Sequence, residues 1–171
     1  TMDLLYNSGT IGALELARMG KFAENEYMQK PSGLLDQAAS ALGGLTAMDF
    51  ADPDDTRVER VDFDFSKTGH TLVISGPIGS HAGLTAEYAA IPGEMRLVAE
   101  HFGKGVLREL SVDAFLAELP KLYGKLPDRA LLRALHYFEE NERVLRQTAA
   151  LRAGGFSAFL AEINASGRSS Y

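Results

Sequence analysis

Cysteine is absent from the 171-residue sequence. Its absence excludes disulfides, iron–sulfur clusters, thiolate zinc sites and cysteine nucleophiles, and it is typical of a reducing compartment, so we expect a cytoplasmic protein. Hydrophobic residues make up 46% of the chain and charged residues 23%. These shares are close to those of globular proteins and exclude general disorder and a fibre.

Basic residues are scarce as well, and they form no run. The 17 lysines and arginines are outnumbered by 23 acidic residues, which gives a net charge of −6. Nucleic-acid binding needs clustered positive charge, so we expect no nucleic-acid partner. We expect no membrane partner either, because the longest weakly charged run, residues 31–48, is too short and too polar to span a bilayer. The sequence opens on Thr1 in an apolar, helix-like phrase, which we interpret as the interior of a longer protein.

Most of the chain has the apolar periodicity of helices with one buried face. Ser111 and Pro127 stand at positions typical of helix starts, and Gly43 followed by Gly44 is typical of a helix end. The predicted helices cover residues 2–6, 13–28, 34–42, 84–102 with an interruption at Pro92, 112–123, 127–152 and 156–163, and a polar tail follows at 164–171.

The middle of the sequence has the pattern of strands. Residues 45–50 and 58–65 flank a turn cluster at 51–55, which predicts a hairpin. The apolar run 71–74 is short enough for a buried strand. We place a lobe boundary at the turn between these segments, after residue 67.

A loop-helix junction at residues 30–37 is the first candidate site. Gly33 lets a ligand approach the backbone, and Asp36 then falls in the first turn of the next helix. The helix dipole favours a carboxylate there, and such a carboxylate can accept a hydrogen bond or a proton from a substrate hydroxyl. The alternative is that Asp36 only complements the dipole.

The glycine-rich run 76–83 is the second candidate, either an anion or sugar cradle or a plain turn. Its glycine spacing matches neither a P-loop nor a dinucleotide fingerprint. The four histidines lack the spacing of a helical metal site, so we predict no metal ligands. Other patterns indicate ordinary structure: Asp62 and Asp64 as a solvated face, Glu139 and Glu142 paired with Arg143 and Arg146 on a solvated helix face, and Tyr137, Phe138, Phe156 and Phe159 as core.

Four phrases of the sequence occur together in one known family. They are Ala23-Glu24-Asn25 with residues 30–40 (KPSGLLDQAAS), residues 61–65 (VDFDF), residues 81–92 (HAGLTAEYAAIP) and residues 133–144 (RALHYFEENERV). In this combination and order the sequence resembles the galactokinases, which belong to the GHMP superfamily of small-molecule kinases. The resemblance extends over essentially the whole chain.

This resemblance implies an α+β fold of the two-lobed GHMP-kinase type, incomplete here, with antiparallel strands in the middle and helices on both sides. Residues 1–67 would form part of the N-terminal kinase lobe, and residues 68–171 part of the C-terminal lobe.

The implied activity is ATP-dependent phosphorylation of galactose at its anomeric hydroxyl. Asp36 would be the catalytic carboxylate, Gly33 would offer its backbone to the sugar, and Tyr88 would hydrogen-bond the sugar from the second lobe. ATP and Mg²⁺ are implied too, but the family's serine-rich phosphate loop, N-terminal galactose signature and C-terminal glycine-rich motif are not among these 171 residues. We therefore expect the isolated chain to be inactive, and exposed surfaces to favour self-association.

Some residues depart from the family pattern and keep alternatives open. Ser75-Gly76-Pro77 stands where the family usually has Asp-Thr or Asn-Ser, and Ser32 and Leu35 replace the commoner Cys and Met. One alternative is a non-catalytic module that binds a sugar or docks a partner. Another keeps the fold but takes a different small alcohol or an amino sugar as substrate.

Overall fold

The computed structural model describes residues 2–52, 54–76 and 85–170, and the predicted cradle at 76–83 lies outside them except for Gly76. The chain divides into two compact units, Thr1–Arg60 and Val61–Tyr171. The lobe boundary that we place after residue 67 stays a prediction.

The described part of the first unit, residues 2–52 and 54–60, contains three α-helices and a two-stranded sheet. The helices are α1 (Met2–Tyr6), α2 (Ala13–Phe22), which continues into a π-helical turn at Ala23–Tyr27, and α3 (Leu35–Leu42). The strands β1 (Thr46–Asp49) and β2 (Arg57–Arg60) pair antiparallel, with Thr46 opposite Arg60 and Asp49 opposite Arg57. The sequence-based hairpin is thereby confirmed.

Small residues bring α2 and α3 together. Ala17 on α2 and Ala38 on α3 are buried, and a side chain at Gly20 would meet Gln37 Cγ at 3.5 Å. Helices approach closely where side chains are this short, and here the contact sets the position of α3 in the first unit.

The second unit is mostly helical. A 3₁₀ turn at Phe65–Thr68 precedes α4 (Thr85–His101), and another at Leu107–Glu109 precedes α5 (Val112–Leu122). The chain ends in α6 (Asp128–Arg152) and α7 (Phe156–Ser170). Ser111 caps α5 by accepting a hydrogen bond from the Ala114 amide at 3.2 Å, as its position in the sequence predicts.

The hydrophobic core of the second unit lies where α6 meets α4 and α5. Phe115 and Phe138 are buried there with their ring centroids 5.2 Å apart. Their neighbours in the same cluster are Val98, Ala99, Leu107, Leu122, Ala130, Leu131 and Ala134.

Helices α6 and α7 are joined by charged and hydroxyl groups rather than by this core. Arg143 is buried and pairs with Glu140, and its Nε lies 3.7 Å from Glu162 Oε2. Arg146 donates to both oxygens of Glu162, at 2.9 and 3.1 Å, and Ser166 Oγ donates to Glu140 at 2.8 Å. The sequence predicts that this face of α6 is solvated. That prediction is wrong at Arg143, because α7 covers its side chain.

Three other predictions need correction. The second strand ends at Arg60 instead of residue 65, because the Phe65 ring packs against Phe156 and Phe159 on α7. Helix α4 runs through Pro92 without interruption, and α7 extends through the predicted polar tail. The tail is helical because its serines hydrogen-bond to acidic side chains of α6.

The apolar run 71–74 is not a buried strand. Leu72, Val73 and Ile74 are 90%, 79% and 91% exposed, and no described strand pairs with them. A strand is stable only when a neighbour takes up its backbone hydrogen bonds, which the pattern of this run could not reveal.

Helices with one small antiparallel sheet are compatible with an α+β fold. The described helices include none that combines the length and the apolar character needed to cross a membrane.

Candidate functional site

The junction between α2 and α3 is built around the π-helical turn Ala23–Tyr27. The chain leaves this turn through Gln29, which has a φ of +52°, a conformation that side chains other than glycine rarely adopt. It then runs back along the turn, and the Lys30 amide donates to the Glu24 carbonyl at 3.0 Å. Wide π-helical turns of this kind occur frequently at functional sites.

Asn25 holds the loop that follows. Its Oδ1 accepts hydrogen bonds from the Ser32 amide at 2.9 Å and from Ser32 Oγ at 3.0 Å, and its Nδ2 donates to the Ser32 carbonyl at 3.4 Å. Three bonds between two residues fix the backbone one position before Gly33.

Glu24 adds a charged contact to the same loop. Its Oε2 lies 3.4 Å from the Lys30 ammonium. A hydrogen bond from the Ser32 side chain, followed by the charge of Lys30, holds the pKa of Glu24 below its usual range, although partial burial opposes this. The Glu24 carboxylate therefore stays ionised at neutral pH and keeps Lys30 and Ser32 beside the turn.

Asp36 lies in the first turn of α3, as the sequence predicts. It is exposed, and it forms no ion pair or hydrogen bond with the residues that the structure describes. Leu34, the N-cap residue, supplies no side-chain acceptor to the first amides of the helix. The carboxylate thus stands beside the positive end of a helix dipole, open to a ligand.

Gly33 is exposed and has no structural reason to be glycine. Its φ does not lie in the left-handed region, and a Cβ added there would meet no described atom within 4 Å. The backbone at Gly33 is therefore accessible from outside, which is the property that a backbone contact to a ligand requires.

Tyr88 belongs to the second unit, in the early part of α4. It is 56% exposed, and its hydroxyl makes no hydrogen bond to a described residue. Pro92 has no amide hydrogen, so the Tyr88 carbonyl also lacks its usual helical donor. The structure thus brings Gly33 and Asp36 together at one junction and presents Tyr88 separately, in the other unit.

The beginning of α4 is tied to α6 by two arginines. Arg129 Nη1 lies 2.9 Å from Glu87, the neighbour of Tyr88, and its Nε donates to Glu94 at 2.7 Å. Arg133 Nη1 approaches the second oxygen of Glu94 to 2.9 Å. The hydrogen bond and charge of Glu94 raise the pKa of Arg129 further above neutrality, so these contacts persist across the physiological pH range.

No cluster of three or more His, Asp or Glu side chains suited to a metal ion occurs within residues 2–52, 54–76 and 85–170. Ser75 and Gly76, the start of the departure from the family pattern, are exposed, and Pro77 and His81 lie outside the described residues.

Curated proteins that match this sequence include galactokinases. The chain is 33% identical over 148 residues to the galactokinase of Mycobacterium tuberculosis, an alignment that covers 86% of the chain and 40% of that protein. It is 33% identical to the galactokinase of Glaesserella parasuis over 84% of the chain and 36% of the relative. It is 31% identical to the galactokinase of Streptomyces coelicolor, in an alignment that covers 99% of the chain and 44% of that protein. This chain is galactokinase-like.

The galactokinase-like chain spans about two fifths of the length of these curated relatives. No family model matches it, and no solved structure matches it.

The contact between Asn25 and Ser32 is the part of the candidate site that sequence reasoning missed. Both residues belong to phrases that carry the resemblance, but no local pattern connects an asparagine to a serine seven positions later. The contact depends on the π-helical turn and on the reversal at Gln29, and neither has a sequence signature.

Proposed function

We propose that this chain is part of a galactokinase-like sugar kinase of the GHMP group, which transfers a phosphoryl group from ATP to the anomeric hydroxyl of galactose. The observation that carries the proposal is the state of Asp36. It is an exposed carboxylate without a described partner, in the first turn of α3 and three residues after an accessible glycine, within a phrase typical of galactokinases.

Asp36 is the proposed catalytic carboxylate. One Oδ would accept the hydrogen bond of the anomeric hydroxyl and orient its oxygen, and the carboxylate would take up the hydroxyl proton as that oxygen gains the phosphoryl group and ADP departs. Because phosphoryl transfer depends mainly on positioning and charge stabilisation, a single carboxylate suffices for this role.

Gly33 and Tyr88 are the proposed sugar-binding residues. The backbone of Gly33 is open to a sugar hydroxyl, and the phenol of Tyr88 has a donor and an acceptor free of described partners. Neither residue has a packing role that competes with this assignment, since both are exposed.

ATP would supply the phosphoryl group, and Mg²⁺ would neutralise charge on its phosphates. The described residues do not form a site for that metal, and the serine-rich phosphate loop expected from the family is not within the 171 residues. We expect no turnover by the isolated chain. A cytoplasmic location and self-association through exposed apolar residues such as Leu72 and Ile74 are parts of the same proposal.

Calorimetric titration of the isolated chain with galactose tests this proposal, with glucose as the epimeric control. We expect saturable binding of galactose, weaker binding of glucose, and a loss of roughly tenfold or more in galactose affinity in Asp36→Asn, because a hydrogen bond to a charged acceptor is replaced by a neutral one. Folded protein that gives no heat with any hexose would contradict the proposal. Galactose 1-phosphate formation by the isolated chain, abolished in Asp36→Asn, would contradict the expected inactivity.

A further inference from the structure

Residues 31–33, which precede α3, are attached to the rest of the first unit through Ser32, as far as the described residues show. Pro31 has no amide hydrogen, and Gly33 makes no hydrogen bond to a described residue. Ser32, between them, has its amide, hydroxyl and carbonyl all bound to the side chain of Asn25. The conformation of residues 31–33 therefore depends on that side chain.

Asn25 suits this task in its chemistry as well as its position. An asparagine offers two acceptor lone pairs and two donors, and three of these four are used on Ser32. Asn25 is half-buried, which limits competition from water, whereas the next residue, Glu26, is exposed on the same turn.

The turn and the loop form one connected unit of hydrogen bonds. The Lys30 amide donates to the Glu24 carbonyl at 3.0 Å, and the Lys30 ammonium lies 3.4 Å from the Glu24 carboxylate. Beyond the loop, Gly33 is one residue after Ser32 and Asp36 is four residues after it. A displacement of Ser32 would therefore move Gly33 and the first turn of α3, which carries Asp36, while the packing of α2 against α3 holds the rest of that helix.

We propose that Asn25 is the positioning residue of this site: it fixes the loop that presents Gly33 and sets the entry of the chain into α3, and so places Asp36. The link to galactose rests on the proposed function. The structural part does not, because it concerns only the conformation of residues 31–33.

Amide hydrogen exchange of the 171-residue chain, followed residue by residue by NMR, tests the structural part. In Asn25→Ala the exchange of the Ser32 amide should accelerate by roughly tenfold or more, since its acceptor is lost. In Asn25→Asp, which keeps an acceptor oxygen, and in Glu26→Gln, the matched control on the same turn, it should change by less than about twofold. The Ala38 amide, bonded within α3 at 2.9 Å, should be unaffected in all three variants.

Ser32 exchange that is equally fast in wild type and Asn25→Ala would overturn the inference. If Asn25→Ala does not fold, the inference can be tested on the wild-type chain alone. A scalar coupling through the hydrogen bond, from the Ser32 amide nitrogen to Asn25 Cγ, is expected, and its absence together with an unprotected Ser32 amide would overturn the inference too.

Galactose titration of the same variants tests the functional part. We expect Asn25→Ala to lose roughly tenfold in galactose affinity and Asn25→Asp to recover most of it, a rescue that a general loss of stability would not give. Unchanged affinity in a folded Asn25→Ala with an unprotected Ser32 would overturn the positioning role. Wild type that binds no galactose would instead reject the proposed function, and the exchange of Ser32 would still decide whether Asn25 holds the loop.

Discussion

The two compact units differ in how much large apolar surface they bury. Among the described residues of the first unit the buried hydrophobic ones are Ala17 and Ala38, whereas the second unit buries Phe115, Leu122 and Phe138 among others. Burial of a Phe or Leu side chain stabilises a fold by about 1.5–3 kcal/mol, and a single methyl contributes far less. The second unit is therefore held by its core, and the first by the short contact of α2 with α3 and by local hydrogen bonds.

This difference bears on function because the candidate catalytic residue, Asp36, lies in the first unit, which buries less large apolar surface. The junction that carries Gly33 and Asp36 owes its shape to contacts of Asn25 and Glu24 with Ser32 and Lys30. A loop of this kind can change position without repacking of a core. For the same reason, the loss of a single hydrogen bond changes its conformation directly.

The largest effect is expected from the core of the second unit. Phe115→Ala removes a fully buried ring that packs against Phe138 and should lower the free energy of unfolding of this unit by about 3–5 kcal/mol. Leu116→Ala, at the exposed neighbouring position, is the matched control and should cost less than about 1 kcal/mol. Urea denaturation followed by circular dichroism measures both, and equal costs for the two variants would mean that the core does not hold the unit.

An intermediate effect is expected from the charged contact of α6 with α7, and it depends on pH. Hydrogen bonds from Arg146 hold the pKa of Glu162 below its ordinary value of 4.5. Because the pKa is lowered in the folded state, the stabilisation is complete above pH 4.5 and disappears as the pH falls through the folded pKa. Amides of α7 should therefore lose protection from exchange in that acidic range.

Glu162→Gln should reduce this acid-dependent loss, because glutamine at this position does not titrate, and should lower the protection of α7 at neutral pH. Glu142→Gln changes the exposed glutamate four residues before Arg146 and should leave the profile as in wild type. If Glu142→Gln altered the profile and Glu162→Gln did not, the pairing within α6 predicted from the sequence would be the relevant one.

The smallest effect on stability is expected at Asp36. Asp36→Asn changes an exposed side chain without a described partner, so the free energy of unfolding should shift by no more than about 0.5 kcal/mol. Denaturation of both proteins under one set of conditions measures it. A loss above about 1 kcal/mol would identify Asp36 as a structural carboxylate and remove the contrast between the two units at this site.

Much of this fold can be predicted from local sequence. Regular apolar spacing and clear start signals located α5 and α6 closely, and the turn cluster between β1 and β2 predicted their pairing. The errors occur where distant residues decide the structure. The predicted polar tail is helical because Ser166 and Ser169 bind glutamates of α6, and the strand at 58–65 stops early because Phe65 packs against α7.

The candidate residues of the site could be predicted from the sequence, but the contacts that hold them in place could not. Asp36 follows from a carboxylate in a first helical turn, and Gly33 from a glycine before a helix, but the role of Tyr88 came only from the family resemblance. Asn25 could not be assigned a task, since its contacts require the π-helical turn and the left-handed conformation of Gln29.

The central claim is that the Asp36 carboxylate faces a sugar. The most direct measurement is an NMR titration of the chain with galactose, observing the Asp36 carboxyl carbon and the Gly33 amide, with the exposed Asp62 carboxyl in the second unit as the internal control. The account predicts that the Asp36 and Gly33 signals move together and saturate, while Asp62 stays fixed. Saturable shifts elsewhere in the chain with Asp36 and Gly33 unmoved would contradict it.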